Sequence, residues 1–250
     1  MRAFEIPEAR RQAKGTAIIN LLQLSPEEKI TAIIPIKEFV ESEFLILATK
    51  DGITKKLRLN EFKNIRKNGI IAISLKEEDE LIGVKKTSGD DNVILVTSGG
   101  MSITFNEKDV REMGRTAMGV KGITLNKGDY LVSMDLFEPD KDLLVISKYG
   151  YGKRTCLEEY RVQTRGGKGI KTYNIKESTG TIIGAKAVEK NDEIMMISLN
   201  GTIIRLKVSD VSKMGRLTQG VRLMKTTEGD KVVSIAKVLE DIDAEEKDEE

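Results

Sequence analysis

Four stretches decide the fold when laid over one another: FLILATKDGITKKLRLNEF from Phe44, VILVTSGGMSITFNEKDV from Val93, LLVISKYGYGKRTCLEEY from Leu143 and IMMISLNGTIIRLKVSDV from Ile194. Each reads as an apolar strand, a glycine turn, a second strand, then an acid followed by an apolar residue. The turn glycines are Gly52, Gly100, Gly150 and Gly201, and nine residues after each stands Glu61, Asp109, Glu159 or Asp210. The apolar partners of those acids are Phe62, Val110, Tyr160 and Val211. Such self-similarity at a fixed period marks a repeat architecture.

A second glycine follows in every unit, at Gly69, Gly119, Gly169 and Gly220. After it come further apolar stretches, such as IIAISL from Ile70 or VKGITL from Val120, and then a last strand such as ELIGVKK from Glu80, YLVSMDL from Tyr130 or KVVSIAKV from Lys231. Asp51-Gly52 and Asn200-Gly201 are hairpin signals of the kind that put both central turn residues at positive φ. Short β-branched runs flank them, as strands require. Four short strands per unit of about fifty residues is the footprint of a propeller blade. The expected fold is all-β and propeller-like, with four full repeats and a partial first one. In that first unit Phe4-Glu5-Ile6 matches the acid step and Gly15 the second glycine, while the two strands before them are absent. WD40 signatures are missing, because the chain has neither Trp nor His.

The 250 residues hold 41 Lys+Arg, 40 Asp+Glu, no His and one Cys, with aromatics at 4%. Absence of His removes Ser-His-Asp and Cys-His nucleophile pairs and His-ligated metal sites. Cys156 alone cannot build a zinc or iron–sulfur cluster or an internal disulfide, which points to a reducing compartment. No metal site and no catalytic residue is expected in this chain. Few aromatics argue against single-strand binding by base stacking. No apolar run approaches the ~20 residues of a membrane span, and the N-terminus has no signal-peptide pattern. A cytoplasmic protein without membrane contact is expected. The net charge of +1 hides an uneven distribution. LEDIDAEEKDEE from Leu239 carries eight acids and one base, so residues 1–238 hold about +8. The expected organisation is therefore a propeller over 1–238 and a disordered acidic tail over 239–250. That tail reads either as a solubilising element or as a polyanion competing for the body's basic surface.

The basic residues recur with the repeat. Four residues before the second glycine stand Arg11, Arg115, Arg165 and Arg216, with Arg66 shifted to three before Gly69, and Lys14 lies beside Gly15. Two residues after that glycine come Lys121, Lys171 and Arg222. Four residues after the turn glycine come Lys56, Arg154 and Arg205, with Thr104 in the remaining unit. Equivalent positions of a radial repeat face the same way, so these cations are expected to form a belt. One reading is that each Arg brackets a turn, bonding backbone carbonyls or the repeat's acid. The other is that the belt holds double-stranded DNA by its phosphates, setting position rather than sequence choice. The densest element is Gln163-Thr164-Arg165-Gly166-Gly167-Lys168-Gly169-Ile170-Lys171. Its three glycines let backbone N–H groups approach an anion. It does not meet the P-loop template, since no Ser or Thr follows its Gly-Lys.

Gln163–Gly169 resembles the Gln-Arg-Arg-Gly-Gly-Lys/Arg-Gly box of DNA gyrase A proteins, with Thr164 where the family usually has Arg. The opening FEIPEARRQAKGTAIINLLQL, EFKNIRKNGI, DELIGVKKTSG, KYGYGKRT and IMMISLNGTIIRLKVSDVSKMGRLTQGV also look like successive pieces of that protein's C-terminal region. The resemblance implies a β-pinwheel, a disc whose blades exchange strands and whose basic rim bends DNA. It implies as partners double-stranded DNA, the rest of the gyrase A protein, and the gyrase B protein. ATP and Mg would serve the rest of that holoenzyme, in ATP-dependent negative supercoiling. The family's principal box lies in a first blade, whereas this one falls in the fourth unit. The five tyrosines, Tyr130, Tyr149, Tyr151, Tyr160 and Tyr173, fall within the repeat pattern and read as packing or turn residues. Two other readings stay open: the corresponding domain of topoisomerase IV, and a protein-binding propeller with an incidental belt. A continuous track of cations would favour DNA over the latter, and cations scattered over both faces would favour protein.

Overall fold

The computed structural model describes residues 1–10, 12–22, 24, 28–64, 66 and 69–238. Arg11 of the belt and the acidic tail from Leu239 lie outside them. The described residues form fifteen strands and short 3₁₀ turns, with no α-helix. In the first blade β1 (Phe44–Thr49) is flanked by β2 (Ile53–Arg58) and β3 (Leu81–Thr87), both antiparallel to it. The same arrangement recurs in β4 (Asn92–Thr97), β5 (Met101–Asn106) and β7 (Leu131–Leu136) of the second blade. It recurs again in β8 (Asp142–Ser147), β9 (Tyr151–Cys156) and β11 (Ile182–Val188) of the third. The fourth blade is β12 (Glu193–Ser198), β13 (Ile203–Lys207) and β15 (Val232–Val238).

The fourth strand of a blade does not come from its own repeat. The two-residue β6 (Val120–Lys121) adds to β2 of the first blade, β10 (Ile170–Lys171) to β5, and β14 (Val221–Arg222) to β9. The stretches after Gly119, Gly169 and Gly220 therefore cross to the preceding blade, and these blades exchange strands. Among the described residues the last sheet keeps three strands, in the order β13-β12-β15. The apolar stretch Ile70–Leu75 forms no strand. It is held by single bonds instead: Ser74 Oγ donates to Thr116 O at 2.7 Å, and Ala72 O accepts from Lys55 Nζ at 2.7 Å.

The hairpins turn differently from the Asp-Gly and Asn-Gly expectation. Gly52 sits at φ 76, while Asp51 and Asn200 keep negative φ. The Gly52 N–H donates to Thr49 O at 2.9 Å, and the Thr49 hydroxyl accepts from Ile53 N–H at 3.3 Å. This is a three-residue loop in which a type I turn ends on a left-handed glycine. Only the glycine then needs positive φ, which is why Lys-Asp, Ser-Gly, Lys-Tyr and Leu-Asn all precede it.

The central strands β1, β4 and β8 are buried on both faces or nearly so, because blades stack on one another. Val93 and Leu95 pack with Ile46, Ile103 and Ile123 toward the first blade. Ile94 and Val96 point the other way, to Leu143, Val145 and Tyr160 of the third. Leu144 and Ile146 in turn pack with Ile194 and Met196 of the fourth. Alternation of strand side chains thus serves two cores at once, and the strands read as unbroken apolar runs.

Candidate nucleic-acid interface

The crossing strands place one set of cations. Gly169 takes φ 73, and a Cβ there would lie 2.1 Å from Ser102 O. Glycine is what allows the chain to settle on β5, with Ile170 opposite Ser102 and Lys171 opposite Met101. A two-residue strand buries the first side chain partly and exposes the second. Lys121, Lys171 and Arg222 are accordingly all exposed. Arg222 lies over the Tyr151 ring at 5.1 Å and donates to its hydroxyl at 2.7 Å. The Lys171 ammonium donates to Asn174 Oδ1 at 3.2 Å.

The arginines four before the second glycine join one repeat to the one before it. Arg165 donates from Nη1 to Lys121 O at 2.9 Å and from Nε to Asp109 O at 2.8 Å. Arg216 donates from Nη1 to Lys171 O at 3.0 Å, and its Nε stands 3.9 Å from Glu159. Arg115 lies 3.7 Å from Glu61. Each guanidinium thus meets the acid step of the preceding repeat, and two of them also cap the carbonyl of that repeat's exposed lysine. The result is an alternating series, Lys121 with Arg165 and Lys171 with Arg216, ending on Arg222. The bracketing of backbone carbonyls expected from the sequence is present, and it is what brings the cations of successive repeats side by side.

The box loop is tied across blades by its backbone. Gly166 N–H donates to Gly122 O at 2.6 Å, and Thr124 donates to Gly167 O from its N–H at 2.8 Å and to Gly166 O from its hydroxyl at 2.6 Å. Gln163 N–H donates to Thr104 O at 2.7 Å, while the Gln163 side-chain amide nitrogen is buried without a partner. Gly167 and Lys168 remain exposed at the loop's outer edge.

Two of the three cations four after the turn glycine turn inward. Lys56 is buried, its ammonium 3.2 Å from Glu107 O and 3.7 Å from Glu107 Oε2. Arg154 donates to Asp142 at 2.9 Å and to Val211 O at 2.7 Å. Arg205 is exposed and paired with Glu193. Lys14 is exposed ahead of β1, and Arg66 is exposed between β2 and β3. Lys56 and Arg154 therefore spend their charge inside the blades and not on the rim.

Three charged residues do not stand out in the sequence. Glu107 is fully buried and accepts from Gly89 N–H and Asp91 N–H at 2.9 Å each and from the Thr87 hydroxyl at 2.9 Å. Lys55 and Lys153 are fully buried, with every named hydrogen-bond acceptor a backbone carbonyl. The available signal is lysine at a strand position that Ile103 and Ile204 fill in the other two repeats. Desolvation lowers both ammonium groups, opposed by Glu61 at Lys55 and by Glu159 at Lys153, and brings Lys153 down to about 8. Of the tyrosines, Tyr160 and Tyr173 are core residues, and Tyr160 shares a 2.6 Å hydrogen bond with the Thr172 hydroxyl. Burial pushes the Tyr160 phenol up to about 12. Among the described residues no helix is long and apolar enough to cross a membrane.

A family model described as DNA gyrase C-terminal domain, beta-propeller, matches residues 1–37, 43–88, 91–138, 141–189 and 192–238. The chain belongs to this family. The DNA gyrase A protein of Clostridium acetobutylicum is 49% identical over 241 residues, which cover 96% of this chain and 29% of that protein. The chain thus spans under a third of the curated relatives it matches. A solved C-terminal domain of DNA topoisomerase IV superposes with a TM-score of 0.88 at 30% identity, over 94% of this chain and 74% of that one. A solved DNA gyrase A C-terminal domain gives 0.82 at 28%, over 96% and 78%.

Proposed function

We propose that this chain binds duplex DNA along its basic rim and bends it, acting as the C-terminal part of a gyrase A protein. The observation that carries this reading is the alternating series from Lys121 and Arg165 through Lys171 and Arg216 to Arg222, with Lys168 at its edge. A row of exposed cations in which Arg165 and Arg216 are held by backbone carbonyls is suited to a phosphate backbone and indifferent to base sequence. Bending a 20–30 bp site by 40–90° costs on the order of 1–6 kcal/mol, which many phosphate contacts on a curved rim offset. Arg115, Arg66, Lys14 and Arg205 extend the rim, while Lys56 and Arg154 support it from within. The partners in this reading are DNA, the remainder of the gyrase A protein and the gyrase B protein, in the bacterial cytoplasm. ATP and Mg act in the rest of that enzyme, and the bent DNA supplies the handed segment for negative supercoiling.

The test is binding and bending of linear duplex, read by FRET between its ends. With ~6–10 phosphates contacted, affinity falls by roughly 10³–10⁵ between 50 and 200 mM salt and is nearly the same for any sequence. A flat salt response would sink the reading. The close superposition on a topoisomerase IV domain favours a second reading, in which the same rim serves decatenation. Assembled with the rest of the enzyme, supercoiling of relaxed plasmid decides for the first. For residues 239–250 the proposal is competition with DNA, so their deletion tightens binding at low salt.

A further inference from the structure

Three residues after the turn glycine the repeats alternate Lys55, Ile103, Lys153, Ile204. Lys55 Nζ donates to Ala72 O at 2.7 Å, Arg115 O at 2.6 Å and Ala117 O at 2.8 Å. Lys153 Nζ donates to Gly215 O and Arg216 O at 2.7 Å each. The acceptors Arg115, Ala117, Gly215 and Arg216 all belong to the loop that precedes the crossing strand of the next repeat. Burying an ammonium costs several kcal/mol unless its donors are satisfied. In both blades two of the ammonium's donors go to the loop that carries a rim arginine. Where Ile103 replaces the lysine, the overlying loop is the box itself. There the neighbouring blade's Gly122 and Thr124 do the holding instead.

We propose that Lys55 and Lys153 are positioning residues for DNA, each ammonium clamping the rim loop of the next repeat so that Arg115 or Arg216 stays in line with the exposed cations of its neighbours. Neither lysine reaches DNA. This rests on the DNA-binding reading above. The cationic form matters, because it makes charge-assisted bonds to carbonyls and adds positive potential beneath the rim. Glu159 and Arg216 face Lys153 electrostatically, and the Tyr173 ring lies 5.6 Å from its ammonium. Arginine does not titrate in the accessible range. Burial raises the Tyr173 phenol above its ordinary value. Loss of the Lys153 proton above about 8 therefore loosens the clamp.

The experiment measures duplex affinity at low salt for wild type, Lys153→Met, Arg216→Ala and the double variant, from pH 7 to pH 9.5, with Cys156→Ser in every background to remove the thiol. Lys153→Met should weaken binding roughly three- to tenfold at pH 7 and cause no further loss when Arg216 is already Ala, since residues in contact are non-additive. Wild-type affinity should fall across pH 8, and Lys153→Met should flatten that fall. Lys153→Ile, the residue the chain itself uses at Ile103 and Ile204, repeats the measurement if Met disturbs folding. Wild-type affinity in both Lys153 variants overturns the proposal and leaves the DNA reading standing. So does a loss that multiplies independently with that of Arg216→Ala. Absence of salt-dependent binding by the wild type defeats the DNA reading itself.

Discussion

β9 and β13 are the same arm of neighbouring blades, and they have opposite fates. β9 reads YGKRTC and has no exposed residue, with a buried lysine at its centre. β13 reads IIRLK, is more apolar, and alternates between exposed and half-buried, with Ile203 at 59% exposure. The difference lies outside both strands. β14 lies over β9, pairing Val221 with Gly152 and Arg222 with Tyr151, and Met214 N–H donates to Arg154 O at 2.8 Å. β13 pairs with β12 alone among the described residues. Burial of an arm is thus conferred by the following repeat and not by the arm's own hydrophobicity.

Substitutions at matched positions can break this comparison. The largest effect is expected at the turn glycines. A Cβ on Gly150 would lie 2.2 Å from Met224 O at φ 77, whereas Gly201 at φ 83 has nothing within 4 Å. Gly150→Ala should cost about 3 kcal/mol, strain and overpacking together, and Gly201→Ala about 1 kcal/mol from strain alone. Urea denaturation of the two variants reads both. Equal costs would show that β13 is covered in solution.

A second contrast is in pH. Lys153 titrates at about 8 when folded, below its ordinary 10.5, so between those values the unfolded chain holds the extra proton. Stability should therefore rise with pH from about 8 toward 10, above which the raised Tyr160 and Tyr173 phenols act in the opposite sense, and Lys153→Met should make the rise shallower. β13 has Ile204 at the matching position, a side chain without a proton to lose. Thermal melts from pH 7.5 to 10.5 supply the comparison, and the rise in stability should accompany the fall in DNA affinity.

Smaller effects come from single side chains. The Thr155 hydroxyl donates to Met214 O at 2.7 Å, so Thr155→Val should cost about 1 kcal/mol in a urea titration. Ile203→Thr, on the bare arm, should stay within about 0.5 kcal/mol. A larger loss there would mean that Ile203 is packed against something in solution.

The repeat, the hairpins and the matched spacing of cations are legible because each depends on residues close in sequence. Gly169 and Lys171 stand out as a pair, but residue spacing alone does not show that they cross to the preceding blade; that expectation comes from family resemblance. The turn type departs from expectation because Asp51-Gly52 is a strong signal for one hairpin, while Thr49 and its hydroxyl stabilise another. Ile70–Leu75 has strand composition and no ladder to join, since Lys55 and the loop around Thr116 take its polar groups. The roles of Lys55, Lys153 and Glu107 depend on partners up to 63 residues away, and spacing carries no trace of them.

Strand exchange also sets a timetable. Thr54 and Val120, which meet between β2 and β6, are 66 residues apart. At about 5–20 residues per second a nascent chain takes roughly 3–13 s to make the second after the first. During synthesis the most recently made blade always waits with an open arm, and the ribosome carries one unfinished blade until the next repeat emerges to close it.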